Sequence, residues 1–344
     1  KEYFLGIDFG TQGVRCGIVN EDGEVLSVAH RKFNTYYPEP GWVVQKPDEW
    51  IEAMFGAAKD CLQKTDDSIV KNIVGVSVCA TASTVIPVLK NGTALMDAIL
   101  WMDNRASLET SGINQTKHEV LKHCGNEVSV EWLIPKVLWL KNNRREIYDK
   151  AYKVVEQLDY INYVLTGEWA ASICQATCKS NYVEEFGGWN RSFFEGIGLG
   201  EFNRKLNTRV LHLGEPIAKL LPSVAKQLGL PKDVIVYQGG IDAHISMLGI
   251  GVSHPGDMGI VMGSSFVHLV LSKEQIFNEG IWGPYNNAVI PGLYCLEGGQ
   301  VSAGSIANWF IREFKIKEET KGDPFELMMN EAAAVPPGSK GIIT

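Results

Sequence analysis

The chain has 344 residues, of which 45% are hydrophobic, so it is long enough for two domains with sizeable cores. Its net charge of −8 argues against a protein that binds the nucleic-acid backbone, because such proteins carry a basic face. The sequence has no run of about 18 apolar residues, which a membrane-spanning helix needs. We therefore expect neither a nucleic acid nor a membrane among its partners.

The cysteines indicate the redox compartment, and the histidines indicate whether a metal motif is present. The seven cysteines are odd in number and scattered, and several lie within apolar runs. This pattern favours free core thiols in a reducing cytoplasm over a disulfide framework. The histidines form no metal motif such as H-E-x-x-H, which argues against a structural zinc site.

The first predicted element is a meander of antiparallel strands. Apolar segments at 3–8 and 14–19 flank a glycine-rich turn, F-G-T-Q-G at 9–13. The turn N-E-D-G at 20–23 then leads to a third strand at 24–32. The first strand therefore enters a hairpin and not a βαβ unit.

A helix is predicted after the meander. Pro47 suits its first turn, because proline lacks only a donor that would be free there. The apolar residues that follow recur on one helix face: Trp50, Met54, Ala57, Cys61 and Leu62. Two further strands are predicted at 72–79 and 84–90.

The section from about 105 to 230 favours helices, with Pro135 indicating a kink or a boundary in the apolar stripe at 131–143. A strand then leads to G-G-I-D at 239–242, and the strand–turn–strand pattern returns at 257–273. This return suggests an internal duplication, with two halves facing each other across a cleft. The last residues end within a predicted strand, so we expect a C-terminally incomplete chain.

The turn beginning at Asp8 has two interpretations. Its glycines expose backbone N–H groups, which together with the Thr11 hydroxyl can cradle phosphate oxygens. Asp8 would repel a bare phosphate, so its use would be to hold Mg²⁺, directly or through water. The other interpretation is an ordinary hairpin turn, in which aspartate, glycine and threonine are all favoured.

Asp242 is an acid between glycines and an apolar segment, where a carboxylate loses hydration. It can serve as the N-cap of a helix. It can also be a general base aimed into a cleft, with Gly239 and Gly240 letting a ligand approach. The two roles are compatible, since a helix N-terminus lowers the cost of a negative charge.

Other polar residues are ambiguous by pattern alone. Lys179 in Q-A-T-C-K-S-N-Y reads as a solvated loop lysine, and Glu297 is an acid between an apolar run and glycines. Asp103 and Arg105 in W-M-D-N-R-A indicate either a sugar-binding edge or a helix start with a surface arginine.

In their order along the chain, these segments resemble the FGGY family of carbohydrate kinases, in the superfamily of actin, sugar kinases and heat-shock ATPases. The resemblance rests on I-D-F-G-T-Q-G-V-R-C-G-I-V, W-M-D-N-R-A, G-G-I-D-A-H-I-S-M-L-G, M-G-S-S-F-V-H-L and E-G-G-Q-V-S-A-G-S-I-A-N-W-F. It implies an α/β, actin-like or ribonuclease H-like ATPase fold with duplicated mixed sheets, flanking helices and two lobes around a cleft. Residues 1–252 would form the sugar-binding lobe with the first phosphate loop. Residues 253–344 would begin the nucleotide-binding lobe, with the adenine site beyond them.

The resemblance also implies an enzyme that uses ATP and Mg²⁺ to phosphorylate a sugar hydroxyl. Asp242 would be the general base, and Asp8 would lie near Mg²⁺. The phosphate-binding residues would be Gly10, Thr11 and Gln12 in the first loop and Gly263, Ser264 and Ser265 in the second. A homodimer is common among relatives and is possible here.

Among subgroups, the chain looks most like ribulokinases, which act on a ketopentose. That likeness adds Ala82, Lys179 and Glu297 to Asp242 as sugar-binding residues, with Asp103 as a further candidate. Cys79 departs from it, because ribulokinases tend to carry an acid there. A xylulokinase or a kinase of pentitols or other polyols stays open.

Three other functions fit the sequence less well than a sugar kinase does. An actin-like or chaperone-like ATPase shares the first phosphate turn but gives no reason for Lys179, Glu297 or the spacing of G-G-I-D-A-H. An inactive carbohydrate-binding relative would not need the intact Asp242. A Rossmann dehydrogenase is disfavoured, because no G-x-G-x-x-G opens a helix after the first strand.

Overall fold

The computed structural model describes residues 1–263, 265–300, 302–314 and 322–342. The chain forms two compact units. The larger comprises Lys1–Gly259 and Leu269–Glu297, and the smaller comprises Ile260–His268 and Gly298–Thr344. Within the described residues, no helix combines the length and apolar character needed to cross a bilayer.

The strands in chain order are β1 (Tyr3–Gly10), β2 (Gly13–Asn20), β3 (Val25–Lys32), β4 (Val44–Gln45), β5 (Ile73–Ala80), β6 (Val85–Val88), β7 (Ala98–Ile99), β8 (Lys153–Glu156), β9 (Ala171–Ser172), β10 (Tyr182–Val183), β11 (Gly188–Trp189), β12 (Val210–Leu211), β13 (Pro216–Lys219), β14 (Ile235–Tyr237), β15 (Met258–Met262), β16 (Phe266–Ser272), β17 (Trp282–Asn286) and β18 (Tyr294–Gln300). The helices are α1 (Pro47–Gln63), α2 (Asp67–Val70), α3 (Ser107–Gln115), α4 (Leu133–Asn143), α5 (Arg145–Lys150), α6 (Gln157–Thr166), α7 (Ile173–Lys179), α8 (Arg191–Gly196), α9 (Phe202–Lys205), α10 (Pro222–Leu228), α11 (Asp242–Gly249), α12 (Gly304–Glu313) and α13 (Pro324–Ala333). Short 3₁₀ turns lie at Glu119–Cys124, Glu184–Phe186 and Ser339–Gly341.

A six-stranded mixed sheet of order β13-β14-β5-β1-β2-β3 lies in the larger unit. The predicted antiparallel meander of β1, β2 and β3 is confirmed, and β1 pairs in parallel with β5. Alternate residues of β1 (Leu5, Ile7 and Phe9) are buried, because side chains along a strand point to the same face at every second residue. The predicted helix is also confirmed as α1, which begins at Pro47 and packs on β2 and β3.

A second sheet of order β4-β7-β6-β8 adjoins the helical section of the same unit. Helices dominate residues 105–230 as predicted, and Pro135 lies in the first turn of α4, so it marks a boundary and not a kink. The sequence analysis missed the short strands β8 to β13, because segments of two to four residues carry almost no periodicity.

The strands predicted around the second glycine turn are present as β15 and β16, in a sheet of order β15-β16-β18-β17. Gly263 and Ser265 lie in the turn between them, and the Gly263 N–H donates to the Ser265 carbonyl at 2.9 Å. Ser264 lies outside the described residues. At the predicted final strand, a 3₁₀ turn at Ser339–Gly341 precedes Ile342, and the rest of the predicted strand, residues 343 and 344, lies outside the described residues.

Candidate active site

The first glycine turn lies between β1 and β2 and is held by side chains from two other segments. The Gln45 amide donates to the Thr11 carbonyl at 2.7 Å, and the Trp101 indole N–H donates to the Thr11 hydroxyl at 3.1 Å. A Cβ at Gly13 would lie 2.5 Å from the Arg31 carbonyl oxygen, so the neighbouring strand requires glycine there. Nothing in the sequence around Gln45 or Trp101 shows these contacts, because each partner lies far away along the chain.

Asp8 lies at the end of β1 beside this turn, directly across the hairpin from Arg15. An Arg15 guanidinium N–H donates to Asp8 Oδ2 at 2.6 Å, and the Cys79 thiol lies 3.5 Å from Asp8 Oδ1. The Arg15 side chain is 67% exposed, so this ion pair is weak and easily exchanged. Among the described residues, no group of three or more His, Cys, Asp or Glu side chains forms a metal cage. A single carboxylate does fit Mg²⁺ that arrives with a nucleotide, since such an ion takes one or two protein carboxylates.

Asp242 is the first residue of α11 and is half-buried. Its Oδ1 accepts the Ala243 N–H at 2.7 Å, while Ile241 is the N-cap, so Asp242 does not fill the predicted capping position. Burial raises the pKa of Asp242 to about 6, and the negative charge of Asp8 acts in the same direction. Burial, followed by the charges of Asp8 and Asp242, also raises the pKa of Cys79 well above its usual value. Ile241 forms a bridge with Ala80, which follows Cys79 on β5, so the structure places Asp242 next to the paired residues Asp8 and Cys79.

The two glycines before Asp242 are needed for packing within the protein. A Cβ at Gly239 would lie 1.9 Å from the Val78 carbonyl oxygen of β5, and one at Gly240 would lie 2.9 Å from the Cys174 Cβ of α7. These contacts give a packing reason for both glycines, and the expectation that they let a ligand approach stays a prediction. They allow the segment that carries Asp242 to lie directly on β5.

Lys179 ends α7, and the interpretation as a solvated loop lysine is wrong. Its Nζ donates to both carboxylate oxygens of Glu297 at 2.7 Å, and the two side chains are only 9% and 6% exposed. The Nζ also lies 4.4 Å from the ring centre of Trp282 and 5.3 Å from that of Trp132. The larger unit thus holds a buried ion pair within an aromatic surround.

His244 connects this ion pair to Asp242, because both residues belong to α11. Its Nε2 lies 3.8 Å from Glu297 Oε2 and 3.4 Å from the Cys178 sulfur. Burial lowers the pKa of His244 to about 4, so the ring is neutral at pH 7. The motif G-G-I-D-A-H contains His244, but nothing in the sequence shows its contacts with Glu297 and Cys178.

Ala82 is half-buried in the turn between β5 and β6. Asp103 is fully buried, and its oxygens accept two guanidinium N–H groups of Arg105, at 2.8 and 2.7 Å, and the Val43 N–H. The Arg105 side chain is 1% exposed and its guanidinium lies 3.9 Å from the Trp42 ring centre. The expectation that Arg105 lies on the surface is therefore wrong. Asp103 has contacts that already account for it as a structural residue.

Comparison with protein-family models identifies the chain along most of its length. The N-terminal domain of the FGGY family of carbohydrate kinases matches residues 3–249, and the C-terminal domain of the same family matches residues 258–343. The chain belongs to the FGGY family of carbohydrate kinases.

This FGGY chain is 33% identical over 339 residues to the FGGY carbohydrate kinase domain-containing protein of Homo sapiens, covering 91% of this chain and 61% of that protein. It is 29% identical over 379 residues to the ribulokinase of Shouchella clausii (strain KSM-K16), covering 100% of this chain and 67% of that protein. The structure of xylulose kinase from Lactobacillus acidophilus superimposes with a TM-score of 0.86 at 20% identity, covering 100% of this chain and 68% of the other. The FGGY chain therefore spans about three fifths to two thirds of these relatives. The predicted actin-like ATPase fold is confirmed.

Proposed function

We propose that the protein containing this chain transfers the terminal phosphoryl group of ATP to a hydroxyl of a ketopentose such as ribulose, with Asp242 as the general base. The observation that carries the proposal is the position of α11. This helix, which begins at Asp242, contacts β1, the strand that carries Asp8, and His244 on the same helix contacts Glu297 of the buried ion pair. One short helix would thus connect the phosphate site to the sugar site. The ribulokinase relatives favour ribulose as the acceptor.

Asp242 would accept the proton of the attacking sugar hydroxyl. As that oxygen forms its bond to the terminal phosphorus, the bond from phosphorus to the bridging oxygen of ATP breaks, and the products are a sugar phosphate and ADP. A pKa of about 6 leaves Asp242 ionised at pH 7 and makes it a stronger base than an ordinary aspartate. A general base placed in this way contributes roughly 10²- to 10⁴-fold to the rate.

The other sugar hydroxyls would be held by Lys179 and Glu297, which offer donors and acceptors in a largely dry site. Ala82 would lie at the edge of the sugar with only a methyl group. Asp103 is left out of this proposal because Arg105 and the Val43 N–H already engage its oxygens.

Mg²⁺ bound with ATP would neutralise charge on the phosphates during transfer. Asp8 would hold that ion, directly or through water, after its exposed partner Arg15 moves aside. The phosphate contacts remain those of the two loops: Gly10, Thr11 and Gln12, with Gly263, Ser264 and Ser265. We further propose that the protein works in the cytoplasm as a homodimer.

A coupled assay of ADP release on the full-length protein tests the proposal. The acceptors are L-ribulose, D-ribulose, D-xylulose, ribitol and glycerol, each compared with a reaction that has no sugar. We expect turnover that requires a ketopentose, and we expect Asp242→Asn to lower kcat by roughly 10²- to 10⁴-fold with little change in sugar KM. Equal ADP release without sugar would indicate an ATPase. A full rate in the Asn variant would remove Asp242 from the mechanism.

A further inference from the structure

The turn that carries Ala82 has an unusual backbone. Ser83 has a φ of 59° and is 2% exposed, and it is followed directly by Thr84 and β6. The left-handed region is unfavourable for a residue with a side chain, because its Cβ crowds the carbonyl oxygen. Such a conformation persists only where surrounding contacts fix it.

Glu156 provides one of these contacts. This residue ends β8 and is 3% exposed. Its Oε2 accepts the Ser83 N–H at 2.7 Å, and its Oε1 accepts the Ser180 hydroxyl at 3.3 Å. Ser180 directly follows Lys179. One buried carboxylate therefore joins the turn of Ala82 to the end of the helix that carries Lys179.

Lys136 of α4 provides the second contact, at the carbonyl of the same residue, Ser83. Its Nζ is fully buried and donates to the Ser83 carbonyl at 2.9 Å. The same Nζ donates to the carbonyls of Leu100 at 2.8 Å and Trp101 at 3.1 Å. Because the Trp101 indole holds the Thr11 hydroxyl, Lys136 joins the Ala82 turn to the segment that fixes the first glycine turn.

Glu156 and Lys136 are ionisable groups in buried positions. Burial opposes charge on both: it raises the pKa of Glu156 to about 7 and lowers the pKa of Lys136 to about 7. Charge-assisted hydrogen bonds are, however, stronger than neutral ones and hold backbone groups in a fixed geometry. The contacts of both side chains converge on the Ser83 backbone from its N–H and its carbonyl.

We infer that Glu156 and Lys136 are positioning residues for the sugar site, which fix Ala82 relative to Lys179 and to the first glycine turn. This inference rests on the proposed sugar kinase function. It assigns the two residues no contact with substrate and no part in proton transfer. Glu156 would act on sugar binding alone, whereas Lys136 would act on both the sugar site and the phosphate site.

The test is steady-state kinetics of the full-length protein with sugar and ATP varied separately. We expect Glu156→Ala to raise the sugar KM roughly 10- to 100-fold while the ATP KM changes less than about twofold, since two hydrogen bonds to a charged group are lost on the sugar side. Glu156→Gln should recover most of the loss, because its carbonyl can accept from Ser83 and its amide can donate to the Ser180 oxygen. Lys136→Met should raise both KM values.

Two further variants keep the test decisive. Ser180→Ala removes only the link to the Lys179 side, and we expect it to raise the sugar KM about threefold or more even if Glu156→Ala fails to fold. Glu109→Ala is the matched control: it removes a buried carboxylate of α3 that accepts from Asn142 and Asn143 of α4, and the sugar KM should not change.

The outcomes separate the two proposals. A wild-type protein without sugar-dependent turnover would overturn the proposed function and this inference with it. An active wild type whose sugar KM is unchanged in Glu156→Ala and Ser180→Ala would overturn the positioning role alone. A rise of sugar KM and ATP KM in equal proportion in Glu156→Ala, or no recovery in Glu156→Gln, would also overturn it.

Discussion

Replacing Lys179 with methionine would leave the Glu297 carboxylate buried without its counter-ion. The lysine Nζ lies 2.7 Å from both carboxylate oxygens, and the side chains are 9% and 6% exposed, so little water can take its place. Breaking such a buried pair from one side costs about 3–5 kcal/mol. The ring of Trp282, 4.4 Å from the Nζ, adds a cation–π interaction of roughly 1–2 kcal/mol that methionine also loses.

A double-mutant cycle separates the charge interaction from the packing. Glu297→Met alone should also destabilise, because it leaves the lysine unpaired, whereas Lys179→Met/Glu297→Met replaces both charges with apolar groups of similar length. We expect the double variant to lose at least about 2 kcal/mol less than the sum of the single variants. Urea unfolding followed by tryptophan fluorescence measures this, since Trp132 and Trp282 flank Lys179.

An exposed ion pair in the same chain offers the matched control. Arg145 and Asp149 pair at i,i+4 on α5, and their side chains are 64% and 55% exposed. We expect Arg145→Met to cost no more than about 0.5 kcal/mol. Two results would refute the reasoning that burial makes this pair strong. One is a double variant whose loss of unfolding free energy equals the sum of the single losses within about 0.5 kcal/mol, and the other is an Arg145→Met loss as large as that of Lys179→Met.

Three further outcomes follow from the site. Because the proposed base, Asp242, has a pKa raised to about 6 and must be ionised to act, kcat/KM should fall about tenfold per pH unit below pH 6; a profile flat down to pH 5 would contradict this. Asp8→Asn removes a negative charge that raises the pKa of Asp242. In a pH–rate profile of the variant, the fall in residual activity on the acid side should therefore occur at a lower pH. Gly239→Ala should cost about 3 kcal/mol or more in urea unfolding, because its Cβ would lie 1.9 Å from the Val78 carbonyl oxygen, whereas Gly112→Ala, with no atom within 4 Å, should be neutral or stabilising by about 0.5–1 kcal/mol.

Local patterns were sufficient to predict the elements that form from contiguous residues. The hairpin of β1 and β2 pairs residues that are close in sequence, from Gly10 with Gly13 to Tyr3 with Asn20, so alternation and the glycine turn define it. The helix α1 carries its own apolar face and starts at Pro47. For these elements, short-range information and the final fold agree.

The environment of Lys179 could not be predicted in this way, because its partner Glu297 lies 118 residues further along the chain. The segment around Lys179 is polar in sequence, and only the packing of α7 against β17 makes it buried. The burial of Arg105 could not be predicted for a related reason. Its guanidinium is stacked on Trp42, a residue from a different loop, and nothing in W-M-D-N-R-A shows that contact.

Helix α11 carries two titratable side chains, and our proposal assigns the role of base to only one of them. Histidine is the more usual general base, yet His244 is 1% exposed, faces Glu297 and Cys178, and has a pKa lowered by burial to about 4. Asp242, two residues earlier, is only half-buried and has a pKa raised to about 6 by burial and by Asp8. A base works best when its pKa is close to the working pH. Asp242 meets that condition beside the glycine turn, while a neutral His244 leaves Lys179 as the counter-ion of Glu297.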